Sequence, residues 1–356
     1  MFVMFKNSYR LVFSGRTVIV LFLLYFFVTI SSAAPEKTDI YGVGFYNLEN
    51  LFDTIHDKGK NDYEFLPGGV KKWSSERYYS KIGCVATVLN AMGADVLPDG
   101  MAVVGVCEVE NARVLNDLVR HEKLSSRGWK FVHVDGPDER GVDCALLYNP
   151  RLFRPLSSRL VPYTSTDSEV VYKSRGFLVV EGLLGGERVH LIVNHWPSRY
   201  GKSPLRERAG VLVREIKDSI ISKVHDAKVL IMGDMNDNPD DRSMSVSLGA
   251  MRHKGDVKSS GDLYNPWWDI YAGNRCGSYK YQGKWNLYDQ IVLSANLLGA
   301  GNGKLKFWRA EVFSRDFLFH HKGRYKGSLK RTFAGNVWLN GYSDHLPVVV
   351  YLNNQH

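Results

Sequence analysis

Carboxylates, amides and imidazoles gather where apolar runs of this chain end. One run leads into Asn47-Leu48-Glu49-Asn50, another into Glu108-Val109-Glu110-Asn111, and a third into Asn194-His195-Trp196. A fourth leads into Gly233-Asp234-Met235-Asn236-Asp237, and Ser343-Asp344-His345 precedes a fifth. Asp289 stands inside LYDQIVL, where a carboxylate needs a partner or solvent. Taken singly, each has an ordinary explanation. Asp234 and Asn236 can close an Asx turn, Glu108 can cap a helix, and Asp344-His345 can be a turn. Taken together, the ordinary explanations must all hold independently, and groups of these types brought to one place can offset charge and move protons. Carboxylate and amide oxygens are hard donors, suited to Mg²⁺, Mn²⁺ or Ca²⁺.

Strand ends can converge only if the strands share a sheet. Eight short apolar segments are strand-like and bounded by Gly, Pro, Asn or Asp: 41–46, 101–107, 142–148, 176–181, 188–193, 228–232, 287–293 and 346–351. Tyr78, Ile82, Val85, Leu89 and Met92 recur at helical spacing, with Gly93 as a stop. Leu205, Ala209, Leu212, Ile216 and Ile220 do the same, with Ser203 as the expected N-cap and Pro204 in the first turn. Interspersed strands and helices predict a layered α/β or α+β domain. No repeat or Pro/Ser-rich linker divides the chain after residue 35, so residues 35–356 are expected to form one large domain.

The first 34 residues read differently. Lys6, Arg10 and Arg16 form a basic lead, Val18 to Ile30 is almost wholly apolar, and Ser31-Ser32-Ala33-Ala34 are small. That order predicts a secretory signal peptide at residues 1–34; retention as an anchor is the alternative. No cysteine lies there for lipid attachment, so the expected location is periplasmic or secreted. The formal charge of +9 falls to +6 without those three basic residues (9 − 3), a mild bias toward phosphate-bearing partners. A 44% hydrophobic content excludes a disordered chain, and four scattered cysteines in 356 residues exclude a disulfide-stapled scaffold. No CxxC or Cys/His cluster points to zinc. Cys107 and Cys144, inside apolar runs, are expected to be buried thiols.

FYNLENLF, GVCEVEN, GVDCALLYNP, IVNHWPS, IMGDMND, LYDQI and YSDHLPVVV occur in this order over about residues 40–352. In that order they resemble the endonuclease/exonuclease/phosphatase superfamily, which includes pancreatic-type deoxyribonucleases and inositol-polyphosphate phosphatases. The GFYNLENLFD and CEVEN forms are most similar to its exported bacterial nucleases. The resemblance implies an α/β fold, a four-layer α/β sandwich of two packed mixed β-sheets flanked by helices, with one active site at an edge. It implies a metal site at Glu108 with Asn47 beside it, and a second possible ligand set of Asp234, Asn236 and Asp344. His345 resembles the histidine that contacts the scissile phosphate, with Asp289 as its carboxylate partner. Asp234, steadied by Asn236, is assigned to orient or deprotonate the water; His345 as base is the open alternative. His195 resembles the second histidine of secreted deoxyribonucleases, where repair endonucleases carry a tyrosine. Arg175 resembles a phosphate-binding arginine.

Two basic stretches can hold a polyanion: Arg199, Lys202, Arg206 and Arg208, and then Lys322, Arg324, Lys326, Lys330 and Arg331 with Tyr325 and Phe333 interleaved. Arg199 is the expected substrate contact of the first. Tyr279, Tyr281 and Trp285 read as a hairpin at the rim. The expected activity is a divalent-metal-dependent phosphodiesterase, a monomer with nucleic acid as substrate and no stable protein partner. The alternative is the same machinery on a phosphomonoester or lipid head group, for which an exposed Trp267-Trp268 pair would be relevant. A non-catalytic scaffold is disfavoured, because every key position holds a competent residue.

Overall fold

The computed structural model describes residues 38–163, 174–273, 277–299 and 304–355. The expected export signal and Cys276 lie outside these. Two mixed sheets form the centre. The first has six strands in the order Leu305–Val312, Val348–Gln355, Thr38–Leu51, Val103–Val109, Asp143–Tyr148 and Lys130–His133. The second has seven: Phe153–Val161, Phe177–Leu184, Glu187–His195, Lys228–Asp234, Asp289–Ser294, Leu263–Tyr264 and Ala250–Met251. All eight segments expected to be strands lie in these sheets. One parallel pair occurs near the middle of each: Thr38–Leu51 with Val103–Val109, and Glu187–His195 with Lys228–Asp234.

Alternation along the strands builds the layers, because successive side chains point to opposite faces. Val43, Phe45, Leu230, Met232, Val348 and Val350 pack between the sheets. Tyr46, Val104, Val106 and Val349 turn outward onto the helices Ser75–Ala91 and Ala112–Arg120 through Ile82, Val85, Leu89, Val114 and Leu118. Val229, Ile231 and Val292 turn outward on the other side, against Ala209, Leu212, Val213 and Ile216 of Ser203–Lys223. Helix, sheet, sheet and helix make the four-layer sandwich. Each fully buried Leu, Ile or Val contributes about 1.5–3 kcal/mol relative to exposure.

The first helix begins as its sequence implies: Ser74 accepts from the Arg77 N–H, and Gly93 follows the end at φ +68°. The second differs by one position. Ser203 is its first residue, Lys202 precedes it without a side-chain cap, and the Ser203 hydroxyl donates to Glu207 instead. Two long strands have no clear sequence signal, Phe153–Val161 and Leu305–Val312. Both are edges. Phe153–Val161 is largely exposed and carries Pro155 beside a register shift, where a missing N–H breaks no central ladder. No helix of the described residues is long and apolar enough to cross a membrane.

Candidate active site

Three adjacent strands of the second sheet deliver three of the expected residues side by side. His195 is the register partner of Asp234, and Asp234 of Asp289. The approach is close because of Gly233: a Cβ there would stand 2.5 Å from the Asn194 carbonyl oxygen. The first sheet contributes Asn47, opposite Cys107, and Glu108 one residue further on. The Asn47 amide nitrogen donates to Asp234 Oδ2 at 3.0 Å and Glu108 Oε1 at 3.3 Å, joining the two sheets at the floor of the site. Its oxygen accepts from the Glu49 N–H. Asn47 thus bridges two carboxylates from different sheets through its amide nitrogen.

Backbone strain concentrates here. Glu108 (φ +60°) and Asn236 (φ +53°) are left-handed at strand ends, a conformation costing non-glycine residues about 1–3 kcal/mol each. The turn at Glu108 aims its carboxylate back, where Oε2 accepts from the Asn50 N–H at 2.9 Å. The Asn236 N–H donates to Asp234 Oδ1 at 3.0 Å, while its side chain donates to the Trp196 carbonyl. Asn236 thus steadies Asp234 as expected, through its backbone.

Ser343 and Ser278 tie down the remaining corner. The Ser343 hydroxyl donates to the Asn47 carbonyl and accepts from the His345 N–H. Ser278 accepts the Asp289 N–H on its hydroxyl and the Leu346 N–H on its carbonyl. His345 Nδ1 then meets Asp289 Oδ2 at 2.6 Å, and Nε2 lies 3.8 Å from Asp234 Oδ2. Burial alone would lower the His345 pKa, but Asp289 and Asp234 overcome it and hold the imidazole well above its usual value. His195 is the opposite case. Its Nε2 lies 3.2 Å from Arg175 Nη2, which can only donate, so Nε2 accepts and the proton sits on Nδ1. Burial and the Arg175 charge push it well below the usual histidine value. Asp234 is raised by burial to about 7, with His345 opposing part of the rise.

Asp344 is half-buried and held by Arg331 at 2.9 Å; the same guanidinium binds Glu49 at 3.1 Å. This tie spans 282 residues and has no local sequence signal. The first basic stretch is largely committed to structure. Arg199 lines the cavity but pairs with Asp237 at 3.0 Å and Asp241 at 2.8 Å and lies over the Tyr288 ring. Arg206 is buried on Asp237 at 2.8 Å. Arg175 also lines the cavity, but it is buried, 3.7 Å from Asp138 and beside Arg140, two lining residues the motifs did not single out. Trp267 is fully buried and donates to the Ile291 carbonyl, so Trp267-Trp268 is not an exposed pair. Tyr279–Tyr281 and Lys284–Asn286 do form a rim hairpin; Tyr279 packs on the His345 ring at 4.8 Å.

Glu108, Arg175, His195, Asp234, Asp344 and His345 all line one cavity of about 950 Å³. Among the described residues, Asp234, Asp289 and His345 bring potential ligand atoms within 4.8 Å of one another, as do Cys107, His195 and Asp234. Cys107 and Cys144 face each other as buried thiols.

The model of the endonuclease/exonuclease/phosphatase family matches residues 42–354. The chain belongs to this family. Its fold is the one shared by phosphodiesterases and phosphatases. An endonuclease/exonuclease/phosphatase family protein from Bacteroides thetaiotaomicron superposes with a TM-score of 0.56 at 15% identity, covering 90% of this chain and 97% of that one. A mannosyl-6-phosphatase of the same organism gives 0.55 at 16%, covering 88% and 99%. D. rerio TDP2 complexed with a single-strand DNA product gives 0.52 at 15%, also covering 88% and 99%. At these identities the likeness establishes the fold. No curated protein matches the chain in sequence.

Proposed function

We propose that this family member hydrolyses phosphodiester bonds of nucleic acid with a divalent cation. The observation that carries the reading is the seam itself: Asn47 clamps Glu108 from one sheet against Asp234 from the other, with His195, Asp289 and His345 around them. The Glu108 carboxylate, partly open to the cavity, fits a hard cation and is the residue that would hold it, with Asp234 beside it left free to act on water. Such an ion supplies charge neutralisation on the phosphoryl oxygens and lowers the pKa of a bound water.

The side chains divide the remaining work. With Nδ1 on Asp289, His345 carries its second proton on Nε2, pointing into the cavity, where it donates to a phosphoryl oxygen. Asp234, with a pKa near neutrality, is matched to accept a proton from the attacking water. The neutral His195 lies 3.8 Å from Glu108 and Asp234 and adds no charge to repel a cation. Arg175 fixes its tautomer and presents positive charge to the substrate. Residues 1–34 are proposed to direct export; a mature N-terminus near residue 34 on the exported protein would support this.

The test is a substrate panel under matched ionic conditions. Plasmid DNA or RNA should be degraded with Mg²⁺ or Mn²⁺, and EDTA should stop the reaction. Turnover of a sugar phosphate or sphingomyelin, with none of nucleic acid, would replace this reading by the monoester or lipid one.

A further inference from the structure

The segment 316–342 and the hairpin over 279–286 enclose a second cavity of about 420 Å³, which adjoins the catalytic one: Gln282 and Asp344 line both. Its charged lining is Lys280, Lys326, Arg331 and Asp344, three cations against one carboxylate already held by Arg331. Lys280 Nζ donates to the Gly327 carbonyl at 3.0 Å and lies 5.3 Å from the Trp285 ring centroid, so it pins the hairpin to the facing loop. Lys326 is exposed and makes no ion pair among the described residues. Tyr325 lines the same groove, and Tyr281, 58% exposed, stands at the hairpin tip on the catalytic side.

A mononucleotide or sugar phosphate placed at His345 would leave this second groove unused. A chain of phosphates would not. We infer that the groove binds a single-stranded polynucleotide beyond the scissile phosphate, with Lys280 and Lys326 facing the next phosphates and Tyr281 and Tyr325 offering ring faces to its bases. Cations that follow a backbone, interleaved with aromatic rings, suit a single strand, whose base faces are free; in a duplex they are covered. Asp344, neutralised by Arg331, marks the step from one cavity to the other. The inference rests on the phosphodiesterase reading and gives it a substrate length and form.

The experiment uses single-stranded DNA and RNA decamers, a dinucleotide, and a blunt duplex of the decamer sequence. Binding of labelled decamer is measured by anisotropy in EDTA, so that it is read without turnover. Lys326→Ala should weaken decamer binding about threefold to tenfold and flatten the slope of log affinity against log salt by about 0.7, one phosphate's worth. Lys326→Arg should restore both. With Mg²⁺, the decamer-to-dinucleotide ratio of kcat/KM should fall by the same factor in Lys326→Ala, and Tyr281→Ala should lower decamer affinity without altering the salt slope. An unaltered ratio and slope in Lys326→Ala, or tighter binding of duplex than of single strand, would overturn the groove assignment. Failure of the wild-type protein to cleave any of the dinucleotide, the decamers and the duplex would instead overturn the phosphodiesterase reading, and the anisotropy would still decide the groove.

Discussion

Glu108 and Glu110 sit two residues apart at the end of one strand, and each accepts a backbone N–H from the same neighbouring segment: Asn50 to Glu108 at 2.9 Å, Asp53 to Glu110 at 2.7 Å. Their surroundings then diverge. The left-handed turn at Glu108 points its carboxylate at Asn47, Asp234 and His195 on the cavity wall. Glu110 is buried among Asp53, Asp57 and Asp62, near the start of Ala112–Arg120, and no lining residue of the catalytic cavity comes from that group. Burial first, and those neighbouring carboxylates second, raise Glu110 to about 8. The lesson is that a buried carboxylate becomes a working group through what faces it. An amide and an imidazole face Glu108, whereas like charges surround Glu110 and favour its protonated form.

Substitutions can break or sharpen that contrast. The largest effect should come beside Glu108: Asp234→Asn and His345→Ala should each lower turnover about 10²–10⁴-fold with Mg²⁺. Near-normal rates in either would remove the acid–base roles. Next, Glu108→Gln should weaken cation affinity by at least about tenfold in a calorimetric titration, while the same change at Glu110 should leave the affinity within about twofold. Equal losses at the two positions would erase the distinction. Gly233→Ala should destabilise the fold by about 1–3 kcal/mol in urea unfolding, because its methyl meets backbone rather than a flexible side chain. The smallest effect is on pH. The folded pKa of Glu110, about 8, lies above its unfolded value, so its stabilisation is full below about 4.5 and is lost as pH rises through 8. Glu110→Gln cannot ionise, so its Tm relative to wild type should climb between pH 5 and pH 9. A constant difference would mean that Glu110 is ionised throughout.

Much of this was legible in the sequence, for identifiable reasons. Central strands are apolar on both faces and end in polar residues, so both their existence and their functional ends are visible. The order of FYNLENLF, GVCEVEN, IMGDMND and YSDHLPVVV carried the family and the four layers. Edge strands such as Leu305–Val312 were illegible because one side of an edge meets solvent and its composition follows. Orientation was equally hidden. Asn47 could be placed at the site, but which end of its amide faces the carboxylates depends on the Glu49 N–H. Arg199 and Arg206 looked alike to Arg175 in charge, and only the fold shows that Asp237 occupies the first two. The Glu49–Arg331–Asp344 tie joins positions near opposite ends of the chain, beyond any local pattern.

The strand Thr38–Leu51 pairs with Val348–Gln355, and the Ser343 hydroxyl donates to the Asn47 carbonyl. The floor of the site thus joins two stretches 296 residues apart in sequence. Without that closing segment the Asn47 carbonyl would lack the Ser343 hydroxyl and the Asp289 carboxylate would lack the His345 ring, so the site's floor is complete only when these two distant stretches have met.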